Sequence, residues 1–307
     1  MPLYLTEADV EALLSPGEAV DAVEACFRRL AAGEIELLPR TRLTLDAGRL
    51  AVMAAADREL GLSGVKTYAA GRDGAQFVVV LFRGTRAEAV IEADKLGQLR
   101  TGAASAVAAK HLARVGATTL GVIGCGWQAQ SQVACIRAAV PSLDRVVAFC
   151  RTREKLDEFC RLVDAEPAEM HRAAADADVV VTATTSPDPV LRGEWLRDGA
   201  LVCAVGANDG RSRELDNVVL ERASFVCCDS KEQARHESAD LVEPIEQGLL
   251  DWLEVHELQE VVAGETSGRQ ADDDIVVFKS NGIAAWDIAA AAVVVEKAQH
   301  RGVGTEL

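Results

Sequence analysis

Thr118-Thr119-Leu120-Gly121-Val122-Ile123-Gly124-Cys125-Gly126-Trp127-Gln128-Ala129 is an apolar strand that runs into a glycine-rich turn and opens a helix. Downstream, the runs at 144–150, 177–184, 200–206 and 223–229 are apolar and strand-like, and helical segments separate them. Strands that alternate with helices predict a parallel sheet covered on both faces. Within the turn, Gly124 permits the tight bend and Gly126 lets a pyrophosphate approach the backbone. Ala129 holds the third small position, where helix and strand pack closely, and Trp127 and Gln128 open the helix whose amides meet the phosphates. The alternative is a glycine turn with no ligand. The strand before, the helix after and the next strand about 20 residues on favour the dinucleotide reading.

These features predict a doubly wound, Rossmann-type α/β sheet. Cofactor choice is read at the end of the next strand, where an NAD site places a carboxylate on the ribose 2′-hydroxyl. Here the chain has Cys150, then Arg151-Thr152-Arg153, with no acid until Glu154. Two guanidiniums in place of a carboxylate favour a 2′-phosphate, so NADP(H) is expected, with NAD(H) as the other possibility.

Upstream the texture differs. Thr6 can cap a first helix, and Pro16 lies in the first turn of a second that stops before Gly33. Short runs at 42–45, 50–54, 64–68, 77–82 and 89–92 alternate with Gly and Asp turns, which predicts antiparallel strands in an α+β arrangement. A helix is expected from Gly102 to Arg114, capped by Thr101. The expected domains are a substrate and dimerisation domain over 1–114, a dinucleotide domain over 115–282, and a helix over 283–307 that returns to the first domain. That helix is almost wholly apolar, which also suggests a homodimer.

Composition sets the limits. The 307 residues are 49% apolar, enough for a substantial core and about two domains. Lys+Arg 32 against Asp+Glu 48 gives −16, which argues against nucleic acid, since phosphate binding needs a basic face. The longest apolar run, Ile283 to Val295, is 13 residues and contains Asp287; a membrane span needs roughly 20. The first residues carry no secretory pattern. The eight cysteines have neither CxxC nor His spacing suited to zinc, so no metal is expected. They read as reduced thiols of a cytoplasmic protein.

Lys66, in Gly64-Val65-Lys66-Thr67-Tyr68, either snorkels to solvent or is a desolvated ammonium able to exchange a proton. Arg40 and Arg42 flank Thr41, and Arg100 precedes the expected helix cap; each is either a surface charge or a carboxylate receiver. Asp287, in so apolar a helix, must be paired, either structurally or within a site. Met53, Tyr68 and loop residues around Arg72 and Asp73 are expected to line the substrate pocket.

Pro39-Arg40-Thr41, Gly64-Val65-Lys66, Leu99-Arg100-Thr101-Gly102-Ala103-Ala104, the turn at 121–128, Glu214-Leu215-Asp216 and Phe278-Lys279-Ser280-Asn281-Gly282 occur in one order. Together they resemble the ornithine cyclodeaminase and mu-crystallin family, from about residue 4 to 300. The resemblance implies a nucleotide domain inserted in a substrate and dimerisation domain. It implies that Arg40, Lys66 and Arg100 hold a substrate carboxylate and that Lys66 moves the proton. By the same likeness Thr184 and Ser280 line the cofactor. Cyclodeaminases of the family carry an Asp where this chain has Asn208, and an amide cannot act as a general base. Asn208 is thus expected to contact substrate only. The expected activity is hydride transfer between nicotinamide and the α-carbon of a small 2-imino acid or cyclic ketimine. A cyclodeaminase with bound NAD and a non-catalytic NADP-binding protein are the alternatives.

Overall fold

A computed structural model describes residues 1–307, and the chain divides into two compact units, 1–100 with 282–307, and 101–281. In the first unit β1 (Leu3–Leu5) leads to α1 (Glu7–Leu13) and α2 (Pro16–Ala31). Thr6 and Ser15 each close a capping box, as Ser or Thr three residues before an acid does. Four long strands follow, β2 (Ile35–Leu45), β3 (Gly48–Asp57), β4 (Leu62–Gly71) and β5 (Gly74–Arg83), then β6 (Arg86–Glu92). They are longer than the sequence pattern marks. β2 even includes Pro39, which an edge strand tolerates at its register shift between Leu38 and Thr41.

α3 (Asp94–Leu112) corrects the expected helix start. Thr101 is an interior helical residue rather than a cap, and Arg100 lies two turns in rather than at a positive helix end. The physical cause is Glu7, whose carboxylate accepts the backbone N–H of Asp94 (2.7 Å) and Lys95 (2.8 Å) and so starts the helix earlier.

The second unit holds β7 (Thr119–Ile123), α4 (Trp127–Ala139), β8 (Arg145–Phe149), α5 (Arg153–Val163), β9 (Glu166–Pro167), α6 (His171–Ala175), β10 (Val179–Thr182) and β11 (Leu201–Ala204). It continues through α7 (Asn217–Arg222), β12 (Ala223–Cys228), α8 (Lys231–Glu237), α9 (Ala239–Glu246), β13 (Val255–Glu257), α10 (Leu258–Val262) and β14 (Ile275–Lys279). All eight strands are parallel, in the order β13-β12-β14-β11-β10-β7-β8-β9. The chain leaves β7 toward one edge and returns to β10 on its other side. The glycine turn after β7 is therefore at the switch point where open α/β sheets bind ligands.

The chain then returns to the first unit as α11 (Ala284–Arg301) and β15 (Thr305–Glu306). The first sheet runs β15-β1-β6-β5-β4-β3-β2 and is mostly antiparallel. Its inner face, with Met53, Leu81 and Ile91, lies under α11, and α2 packs on α11, where Phe27 meets Trp286 edge-on at 5.4 Å. No helix is long and apolar enough to cross a membrane.

Candidate functional site

In the first unit, Lys66 is on the middle of β4, directly opposite Met53 on β3 and Val79 on β5. Opposed residues of an antiparallel pair share a face, so Lys66 points inward, and only 2% of it is exposed. Its Nζ donates to Asp287 Oδ1 at 2.7 Å and stands 5.6 Å from the Phe77 ring centroid. Arg100 Nε donates to the same oxygen at 3.1 Å. Arg40 Nη2 donates to the Gly282 carbonyl, 3.1 Å away, five residues before Asp287 in the chain. Gly282 has φ +79, and a Cβ there would approach Arg100 Nη1 to 2.6 Å. Only glycine supplies both the left-handed turn and the room for the guanidinium.

Two cations thus share one oxygen of a fully buried carboxylate, while Asp287 Oδ2 has no hydrogen-bond partner. Burial, followed by the nearby Arg100 charge, lowers the Lys66 pKa to about 8, and Asp287 partly opposes the shift. An ammonium that titrates this near neutrality can give up or take a proton. The Arg100 guanidinium also lies 5.7 Å from the Trp286 ring, which supports it from below.

In the second unit, Gly124 has φ +110, and a Cβ would meet the Ala183 carbonyl at 2.3 Å, so the turn there requires glycine. Gly126 caps α4 without a side-chain hydrogen bond, and the space in front of its Cα is open. Ala129 is fully buried against the strand. A pyrophosphate fits this place: open space, first-turn amides and no competing side chain. Beside it a cavity of about 270 Å³ is lined by Gly124, Gly126, Arg151, Thr152 and Thr184, with Lys155 and His171 among its further walls.

Other expected residues are not among those lining this cavity. Arg153 turns to Asp157 (3.0 Å) and Glu169 (3.8 Å). Ser280 donates to buried Asp229 at 3.1 Å. Trp127 is half exposed, and Gln128 has a buried Oε1 with no partner. Asn208 occupies the loop after β11. Its neighbour Asp209 is committed to that loop. Burial disfavours its charge, but the N–H groups of Ser212 and Arg211 and the Ser212 hydroxyl hold its carboxyl below the ordinary range.

Two residues that the sequence reading quotes only within family blocks, with no role assigned, prove to organise the loops at the strand ends. Glu214 is fully buried and accepts from Thr182 Oγ1, Thr184 N and Oγ1, and Gly206 N, so it splints the loops that follow β10 and β11. Lys279, also buried, donates to the Ala207 carbonyl at 2.6 Å and pairs with Asp240 at 3.0 Å.

A family model described as ornithine cyclodeaminase/mu-crystallin matches residues 2–302. The chain is 35% identical to an alanine dehydrogenase of Archaeoglobus fulgidus over 99% of its own length and 98% of that protein. It is 38% identical to a delta(1)-pyrroline-2-carboxylate reductase of Bacillus cereus over 71% of this chain and 69% of that one. Among solved structures, an archaeal alanine dehydrogenase dimer with bound NAD superposes with a TM-score of 0.93 at 32% identity, covering 100% of this chain and 98% of the other.

Proposed function

Because this chain belongs to the ornithine cyclodeaminase/mu-crystallin family, we propose that it is an NAD(P)-dependent oxidoreductase acting on the C–N bond of a small imino or amino acid. The observation that carries the reading is the buried pairing of Lys66 and Arg100 on a single oxygen of Asp287. Binding a dinucleotide alone requires none of these residues. A carboxylated substrate would use Arg100 and Arg40 as donors, aligning its α-carbon and converting binding energy into orientation. The Lys66 ammonium would protonate the imine nitrogen, which draws electrons from the carbon and makes it the better hydride acceptor. A bound reduced nicotinamide would supply that hydride. In the reverse direction the neutral Lys66 amine takes the proton back.

A cyclodeaminase reading is disfavoured by Asn208 and by the commitment of Asp209 to its own loop. NADP(H) is the favoured cofactor, because the cavity past β8 has three bases and no acid in its wall. A homodimer is supported by the outer face of the first sheet, where Ala54, Ala56, Val65, Val80 and Phe82 are only partly covered, together with the dimeric alanine dehydrogenase. Sedimentation at the monomer mass at micromolar concentration would refute it.

The deciding experiment is a panel of 2-oxo acids with ammonia, beside pyrroline and piperideine carboxylates, each with NADH and NADPH. Nicotinamide absorbance should fall with at least one imine. Ammonia release from a diamino acid without net absorbance change would overturn the oxidoreductase reading.

A further inference from the structure

We propose that the 2′-phosphate of the dinucleotide is received by a wall of Arg151, Lys155 and His171, and that this wall rather than Arg153 sets the preference for the phosphorylated cofactor. The inference rests on the NADP(H) reading above. The wall is assembled from two places. Arg151 and Lys155 follow β8, and His171 begins α6, which packs beside β7 and β8. No Asp or Glu is in the cavity wall, although acids outnumber bases 48 to 32 in the chain. Cys150 occupies the strand end where a carboxylate would read a free ribose 2′-hydroxyl, and its thiol is turned to the Thr152 carbonyl at 3.4 Å.

His171 is held by rings. Its imidazole is 4.2 Å from the Phe149 centroid and 6.0 Å from that of Trp195, nearly parallel to the latter. The charges on the cavity wall around it are of one sign, and Glu194, on the turn that carries Trp195, is drawn to Arg192 at 3.8 Å. Arg151 and Arg192 face it, Lys155 is on the same cavity wall, and Arg172 follows it on its own helix. β7 contributes no titratable side chain, and Arg145, at the far end of β8, is paired with Glu166. Glu169, the nearest acid in the chain, is turned to Arg153. Burial, then Arg151 and Arg192, push the His171 imidazole below its ordinary range. The countercharge missing from this wall is what a dianionic phosphate provides, through charge-assisted hydrogen bonds from all three bases. Arg153 contributes nothing to it, since its charge is already answered by Asp157 and Glu169.

The test measures dissociation constants of NADPH and NADH by titration of the full-length wild type and of Lys155→Gln, His171→Gln, His171→Phe and Arg153→Gln, with thermal melts alongside. Lys155→Gln and both His171 variants should weaken NADPH by about tenfold or more, the scale of one charge-assisted bond, and leave NADH within about twofold. Arg153→Gln should change neither cofactor. Free 2′-AMP should compete with NADPH better than 5′-AMP. If Lys155→Gln and His171→Gln weaken both cofactors alike, or neither, the wall does not read the phosphate. In that case a wild type that still prefers NADPH leaves the NADP(H) reading standing. A wild type that binds NADH at least as tightly overturns both at once, before any variant is made. Should His171→Gln fail to fold, solvent-exposed Lys155 decides the matter alone.

Discussion

Two aspartates are buried to nearly the same depth, and their surroundings differ completely. Asp178, at the start of β10, is 1% exposed and receives six donors. Thr118 N, Thr119 N and Thr119 Oγ1 reach Oδ2, and Arg114 Nε and Nη2 with Arg197 Nη1 reach Oδ1. Burial opposes its charge, yet these donors hold its carboxyl far below the usual range. Asp287 is just as buried, but Lys66 and Arg100 crowd one of its oxygens and the other has no partner. A carboxylate whose every lone pair is answered is a structural rivet. One that is half answered, with a proton-labile amine on it, is arranged for an anion that comes and goes.

Removing each centre should break this comparison in opposite ways. Asp178→Ala leaves Arg114 and Arg197 without their buried partner, and the second unit should lose about 3–5 kcal/mol of stability. Urea melts and hydrogen exchange at β7 and β10 would read the loss, while turnover per folded molecule stays near wild type. A loss below about 1 kcal/mol would make Asp178 a bystander. Lys66→Met should do the reverse. Turnover falls at least about a hundredfold, the usual scale for lost acid–base work, whereas dinucleotide affinity holds and, with Arg100 still on Asp287, stability falls by less than in Asp178→Ala. Retained turnover would remove Lys66 from the mechanism.

How much of this is legible without coordinates depends on distance along the chain. The strand, glycine turn and helix at 118–139 are contiguous, so period and turn chemistry identify them. β14 is equally apolar, but its place between β11 and β12 is set by partners far away in sequence, and the acids at 272–274 before it give no strand signal. The start of α3 depends on Glu7, 87 residues earlier. Lys66, Arg100 and Asp287 are each visible as unusual residues. Their meeting is not, since Asp287 is 221 positions from Lys66 and 187 from Arg100. His171 carries no local mark at all, because only the packing of α6 beside β8 brings it to the cavity.

The finest distinction between the two aspartates is electrostatic, and pH exposes it. Lys66 titrates at about 8, depressed by burial and Arg100 and partly restored by Asp287. Imine reduction needs the ammonium, so its rate should fall as pH rises through about 8. Amine oxidation needs the free amine and should rise across the same window. Asp287→Asn removes the anion that steadies the proton, so Lys66 should hold it less tightly, by about tenfold, and both inflections should move to lower pH. Asp178→Asn should move neither. An inflection left at about 8 in Asp287→Asn would place Asp287 with Asp178 among the structural carboxylates and leave Lys66 to be tuned by burial and Arg100 alone.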